Sequence, residues 1–598
     1  MILIKVGMAS CGLSAGAFEV YKEFEIFKKR HSGRFNIKLK KVGCIGLCYE
    51  EPIVEIKKDE YQTIVFSKVK PEDVPLIITS VVNNDLHNKV QSKALAVRND
   101  GLSYGFNLPF IDELDFYKHQ LKLVSEHCGI INPEDISDYL SVGGYSALKK
   151  ALSMKPEEIV EEVKESGLRG RGGAGFPTGL KWEFLRRSKS RVKYLICNFD
   201  EGDPGAFMNR VLVESNPHLL IEGIIIASYA LGVKKAFIYT RSEYPLAVSR
   251  LRIALKQARK KGFLGRNILG KDFSLDIELR LGAGAFVCGE ETALIKSIQG
   301  LPGRPRPKPP YPAQKGLWEK PTNINNVETL ATIPIIIKKG SSYYKSIGSE
   351  NSSGTKMFSL SGDAPRTGYI EIPFGTTLKQ VLEITGIDIN DFKALQLGGP
   401  SGGFLSKEHL NIKLDYDSVK EVDAIIGSGS MVIIGKNKDI IQQVYYGMRF
   451  IVSESCGQCV PCREGTTRML ELLKKILDGK ASFEDLTNLQ VLAETIRETS
   501  LCGLGQTAPN LVISSIKHFF RDYESKIIDS KKEFYYFINP NKCSGCHLCF
   551  KVCPRKAISG RPLEVHEINQ ELCVKCGMCY YECPIKAIEK RTRSDNGG

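Results

Sequence analysis

The residues of this chain with the most chemical information in their spacing are its cysteines. All but Cys128, Cys197 and Cys288 of the 18 fall into groups with metal-ligand spacing. Near the end of the chain, Cys543, Cys546, Cys549, Cys553-Pro and then Cys573, Cys576, Cys579, Cys583-Pro repeat the run C-x2-C-x2-C-x3-C-P. In that run the fourth cysteine serves the other cluster, so the expected 4Fe-4S ligand sets are Cys543, Cys546, Cys549, Cys583 and Cys573, Cys576, Cys579, Cys553. Upstream, SCGQCVPC supplies Cys456, Cys459 and Cys462, and SLCGLG supplies Cys502. Three close ligands and one from a second loop suit a third 4Fe-4S cubane, with zinc as the competing occupant. The three solitary cysteines read as small buried hydrophobes.

A fourth group lies at the start. Cys11 stands before a glycine-containing turn, and Cys44 and Cys48 sit in GCIGLCYEEP. One cysteine in an early loop followed by C-x3-C after the next strand resembles the thioredoxin-like 2Fe-2S ferredoxins. That family uses four cysteines. Here Val6 occupies the expected earlier position, so the fourth ligand is missing or replaced, with Ser10 and Ser14 as candidates.

The second chemical signal is glycine. In GLRGRGGAGFPTGLKW, Gly167, Gly170, Gly172, Gly173, Gly175 and Gly179 free the backbone to approach a ligand, and Arg169, Arg171 and Lys181 offer charge to a phosphate. Gly170 to Gly175 spells G-x-G-x-x-G, but the preceding PEEIVEEVKESG has helical periodicity, so the strand that a dinucleotide fingerprint needs is absent. Phe176, Pro177 and Trp182 argue against a flexible linker. Two further loops carry acids: NFDEGDPGAFMNR after a strand, and GAGAFVCGEETALIKSIQG, where Glu290 and Glu291 open a helix. Carboxylates beside a glycine cradle suit a ligand with hydroxyls, such as a flavin ribityl chain or a nucleotide ribose, whereas isolated surface acids would be solvated.

These motifs need several domains to carry them, because 598 residues exceed one core. The expected class is multidomain α/β. Residues 1–90 read as a thioredoxin-like domain, 91–150 as linker and connecting helices, and 151–345 as a Rossmann-like α/β domain with strands in RVKYLICN, KKAFIYT and SLDIELRLG. Residues 354–436 form a short-strand module with no site signal, 437–530 a helical bundle, and 533–598 the tail with the repeated cysteines. TNINNVET is read as an Asn-rich helix entry. The longest apolar run, Leu219 to Val233, is broken by Glu222 and falls short of a membrane span, no export signal is legible, and a cytoplasmic protein is expected. The net charge of +15 is scattered rather than patched, so no nucleic-acid partner is expected.

The glycine cradle, the acidic loop, the GEE turn and the paired asparagines, in that order, resemble the flavin- and NADH-binding subunit of respiratory complex I (51 kDa type) and its relatives in soluble hydrogenases and formate dehydrogenases. The resemblance runs from about residue 90 to about 530. It implies that Gly170, Gly172, Gly173, Lys181, Asn198, Asp200, Glu201, Gly289, Glu290, Asn325 and Asn326 hold FMN. Phe176, Phe184, Asp203, Phe286, Glu291, Lys308 and Tyr311 would meet NAD(H), with Glu201 and Asp203 near the nicotinamide. Glu291 beside the distal ribose would repel a 2′-phosphate and favour NAD over NADP. Asp203 and Phe286 depart from the Glu and Tyr common in complex I. The short-strand module resembles the β-grasp-like module of this family.

The two-cluster ferredoxin tail is typical of the hydrogenase-linked and electron-bifurcating relatives. The implied function is hydride exchange with NAD at FMN, with single electrons passing through iron-sulfur clusters to a small 2Fe-2S thioredoxin-like subunit and a large iron-hydrogenase subunit. Ferredoxin is a further implied partner. A formate dehydrogenase or an NADH:quinone oxidoreductase is the alternative, and a non-catalytic relay scaffold is the reading from another class.

Overall fold

The computed structural model describes residues 1–527 and 534–592. The chain divides into two compact units, one of residues 1–399 with 406–436, the other of residues 400–405 with the chain from 437 onward. The expected boundary near 530–533, and the end of the tail beyond 592, lie outside the described residues.

The first unit opens with a sheet ordered β2-β1-β3-β4-β5, made of β1 (Ile2–Gly7), β2 (Ile37–Val42), β3 (Val54–Lys58), β4 (Ile64–Phe66) and β5 (Ala94–Val97). β1 and β2 are parallel and the other pairs antiparallel. Val20, Phe24 and Phe27 of the helix Ala17–Arg30 recur at helical spacing and are buried on this sheet. β5 lies beyond residue 90, so this domain is longer than its sequence announced. ALAV is too short to show alternation, and its place is set by pairing with β4.

The second sheet is built from β6 (Tyr194–Phe199), β7 (Lys235–Arg241), β8 (Asp276–Gly282) and β9 (Thr322–Asn326) in the order β8-β7-β6-β9, all parallel. The chain steps outward from β6 to β7 to β8, then returns to the other side of β6. The strand order therefore reverses between β6 and β9, and in open α/β sheets ligands bind outside the carboxyl ends at such a point. The helix Pro217–Leu231 is buried on nearly every face and ends on left-handed Gly232. Its Glu222 accepts the backbone N–H groups of Tyr145 and Leu148, each at 2.9 Å, which offsets the burial of that acid. TNINN is thus a strand, not the start of a helix. The helix begins after it at Val327, with the Asn326 side chain accepting the Glu328 N–H.

Strands Gly368–Pro373, Thr355–Gly362, Ser430–Gly435 and Phe392–Leu397 follow one another in a third sheet. In the second unit, helices Ile440–Glu454, Thr466–Leu477, Phe483–Thr499 and Asn510–His518 form the helical segment. After them, Phe534–Ile538 pairs antiparallel with Ile588–Thr592 to frame the tail. Among the described residues no single helix is long and apolar enough to cross a membrane.

Candidate functional site

At the carboxyl ends of β6 and β9 the glycine loop folds back on itself, with Gly170 N–H donating to Phe176 O at 2.9 Å and Thr178 N–H to Leu168 O at 2.8 Å. A methyl group at Gly172 would lie 3.1 Å from Asn326 Cβ, and one at Gly173 would lie 3.5 Å from Gly427. A side chain at Gly172 would crowd Asn326 at the end of β9, and Gly173 has a φ of +128°, so both positions favour bare backbone.

The cations beside them do not all face that space. Arg171 is fully buried and donates to Thr355 O, Arg169 O, Ser353 O and Tyr344 Oη. Arg169 donates to Gly175 O and pairs with Asp417 at 2.9 Å while stacking on Tyr416. Both arginines brace the loop, which corrects the expectation that they meet a phosphate. Only Lys181 of the three stays beside the acids, paired with Glu291.

Several of the asparagines and acids lie together at the strand ends. Asn198 donates to Gly289 O at 2.9 Å and accepts the Asp200 N–H, and a methyl at Gly289 would lie 3.6 Å from Asp200 O. Asp200 lies 3.5 Å from Arg241. Asn325 accepts the indole N–H of buried Trp182 at 2.9 Å. Glu201 is turned away: its carboxylate accepts the N–H groups of Asn209 and Arg210 and the Asn209 amide, at the first turn of the helix Met208–Ser215. Burial raises its pKa and these donors oppose the rise.

Glu290 caps the helix Glu291–Ile298 by accepting Thr292 and Ala293 N–H. Lys308 reaches Glu290 at 3.1 Å and Glu291 at 3.6 Å. Burial alone would raise Glu291, but Lys181 and Lys308 outweigh it and hold the acid below the ordinary carboxylate range. With two cations at hand, Glu291 is not a bare charge, and the expectation that it repels a 2′-phosphate is correspondingly weakened. Phe176 and Phe184 are both 48% exposed, with ring centroids 6.4 Å apart. Phe286 opens the turn Phe286–Gly289 and lies against Gly202, and Tyr311 is exposed.

Sequence reasoning missed the contribution of the short-strand module. Ser428 Oγ donates to Asp203, whose other carboxylate oxygen is buried without a hydrogen bond, and a methyl at Gly399 would lie 2.9 Å from that side chain. Burial pushes Asp203 up to about 6 against the lowering effect of Ser428. Glycine-rich turns at strand ends, LGG and IGSGS, were the available signal, the same one that marked the cradle.

The N-terminal domain brings Cys11, Cys44 and Cys48 together with all three sulfurs within 4.8 Å of one another. Ser10 is not beside them as a ligand, because its hydroxyl and N–H both donate to Glu214. Ser14 is exposed and lines an adjoining cavity of about 360 Å³ with Cys11, Cys48, Phe207 and Arg210. Cys44 N–H donates to Ser215 Oγ, and Tyr369 Oη donates to Cys44 O. The helix Met208–Ser215, about 12 Å long at 1.5 Å per residue, therefore runs from the Glu201 cap at the cradle to the cysteine loop.

In the second unit, Cys456, Cys459 and Cys502 all bear electrostatically on Cys462, which burial pushes up to about 11. In the tail, one cavity is lined by Cys543, Cys546, Cys549 and Cys583, another by Cys553, Cys573, Cys576 and Cys579. The halves repeat their geometry: Ala557 N–H donates to Cys553 Sγ and Ala587 N–H to Cys583 Sγ, each at 3.2 Å. Cys128, Cys197 and Cys288 are all buried.

Comparison with known proteins gives matches to the Nuo51 FMN-binding domain over residues 163–335, the NADH-ubiquinone oxidoreductase-F iron-sulfur binding region over 442–526, and a 4Fe-4S dicluster domain over 526–590. The NADP-reducing hydrogenase subunit HndC of Solidesulfovibrio fructosivorans is 47% identical over 459 residues, 75% of this chain and 94% of that protein. The NADH-quinone oxidoreductase-F protein of Aquifex aeolicus is 45% identical over 65% of this chain and 90% of that one. Among solved structures, an NAD+-reducing [NiFe]-hydrogenase in the H2-reduced state matches with a TM-score of 0.62 and 29% identity, covering 89% of this chain and 85% of that one.

Proposed function

From the premise that this chain belongs to the family of the NADH-quinone oxidoreductase-F proteins and the HndC-type hydrogenase subunits, we propose that it is the NAD(P)H-linked flavin subunit of a multisubunit hydrogenase. The observation that carries this reading is the conjunction of an FMN-binding domain with two iron-sulfur regions in one chain. An NADH:quinone oxidoreductase is the second reading, favoured by the quinone-oxidoreductase relatives.

FMN supplies a hydride acceptor that releases electrons singly. The chain's residues suit it: Gly172 and Gly173 would offer backbone N–H groups to its phosphate, with Gly170 holding the turn through its bond to Phe176 O and Lys181 as the neighbouring cation. Asn198, Asp200, Gly289, Glu290, Asn325 and Asn326 line the switch point and would orient its ribityl and ring. Phe176 and Phe184 would flank the nicotinamide dinucleotide, with Glu291, Lys308 and Tyr311 toward its distal half. Asp203 and Phe286 would close on the nicotinamide, Ser428 fixing the Asp203 carboxyl.

The cysteine quartets named above would hold three 4Fe-4S clusters, and the Cys11, Cys44, Cys48 pocket a 2Fe-2S cluster. Partners would be a small 2Fe-2S subunit and a large hydrogen-activating subunit, with ferredoxin and electron bifurcation as extensions of the same reading. A cytoplasmic location fits it. Anaerobic purification, flavin extraction and an assay of NADH- and NADPH-dependent viologen reduction test the proposal. It predicts one FMN per chain and reduction by a nicotinamide nucleotide. A chain with neither would be a relay scaffold.

A further inference from the structure

The pocket of Cys11, Cys44 and Cys48 has three thiols where a cluster needs four ligands, and Ser10 is engaged with Glu214. A buried acid stands beside it. Glu51 is 8% exposed, and its Oε1 lies 3.6 Å from Cys11 Sγ while its Oε2 accepts the Ile53 N–H at 2.9 Å. Methyl groups at Gly7 and Gly12 would lie 3.2 Å and 3.0 Å from Oε2, so those glycines make the space that the carboxylate occupies. No lysine, arginine or histidine forms an ion pair with Glu51 among the described residues. A carboxylate buried without a counter-charge is unfavourable, and a metal ion offsets that.

We propose that Glu51 is the fourth ligand of this centre, with Glu51 Oε1 and Cys11 holding one iron of a 2Fe-2S cluster and Cys44 and Cys48 holding the other. The distances fit that division. Metal–sulfur bonds of about 2.3 Å and metal–oxygen bonds of about 2.1 Å at tetrahedral angles put two ligands on one ion roughly 3.6 to 3.8 Å apart. The Cys11–Glu51 pair is at 3.6 Å and the Cys44–Cys48 pair at 3.8 Å. Closing the cluster requires Cys11 to stand further from the other two thiols than it does here, since all three sulfurs lie within 4.8 Å. The acid follows C-x3-C by three residues on the same loop, so the motif reads C-x3-C-x2-E-P.

This inference rests on the 2Fe-2S reading of the pocket, and the test separates the two. The full chain is purified anaerobically, reduced with dithionite and examined by electron paramagnetic resonance at temperatures where the fast-relaxing cubane signals have broadened away. Iron and acid-labile sulfide are counted in parallel. Wild type should show a slow-relaxing 2Fe-2S signal. Glu51→Ala should lose it, with iron and sulfide each falling by about two per chain, and Glu51→Cys should restore it with shifted g-values. The Cys variant guards against misfolding in the Ala variant. An unchanged signal and iron count in Glu51→Ala, or loss of the signal in Ser14→Ala, overturns Glu51 as the ligand. A wild-type chain lacking the signal overturns the cluster reading itself, and the ligand assignment with it.

Discussion

In the tail, three cysteines of each run line one cavity together with the fourth cysteine of the other run, so two copies of a short unit close one another. Among the described residues the N-terminal pocket has no such twin. Its cysteine loop is held from outside, by Ser215 and Tyr369 from the flavin domain and the short-strand module. The flavin cradle is of this second kind too, braced by Arg169 and Arg171 against residues far away in sequence. A site closed by its own repeat can be read from spacing, and a site held by distant segments can be read only in part.

The largest expected effect breaks the tail's exchange of ligands. Cys553→Ala should abolish the cluster of the other run, lowering iron by about four per chain, while the cluster of Cys543, Cys546 and Cys549 stays. Loss of the signal from the first run instead would mean that each run closes on itself. Next comes the cradle's brace. Arg171→Leu leaves several buried acceptors unpaired and should destabilise the flavin domain by ~3 kcal/mol or more, read as early flavin release on heating with the tail's clusters intact.

Two smaller effects test which side chains face the ligand rather than the frame. Glu291→Ala frees Lys181 and Lys308 and should move the NADPH-to-NADH preference about tenfold toward NADPH, roughly 1.4 kcal/mol, in steady-state kcat/KM. Smallest is the pH dependence of Asp203. With its carboxyl raised to about 6, it is neutral below that pH and anionic above it, so the anionic nucleotide binds more tightly on the acid side. The NADH Kd should rise about threefold from pH 5 to pH 7, and Asp203→Asn should flatten the curve.

The parallel sheet was legible because RVKYLICN and KKAFIYT are continuous apolar runs, as buried strands are. TNINN was not, since its asparagines mask a strand whose identity comes from its pairing with β6. The grouping of the tail's cysteines around two cavities followed from spacing alone. The inward role of Arg171 did not, because a cation in a glycine loop looks the same whether it meets a phosphate or the carbonyls of a sheet that arrives nearly two hundred residues later, as at Thr355. Glu51 was hidden for a similar reason: an acid in a loop ordinarily signals solvent, and only Gly7, Gly12 and Cys11 around it show otherwise.

The central claim is that nicotinamide oxidation at the flavin domain and cluster reduction belong to one chain. Its most direct measurement is an anaerobic NADH titration of the purified full-length protein, followed at once by visible absorbance and electron paramagnetic resonance. The account predicts that substoichiometric NADH bleaches the flavin band and that cluster signals appear in the same samples. Flavin bleaching with clusters that respond only to dithionite would contradict it.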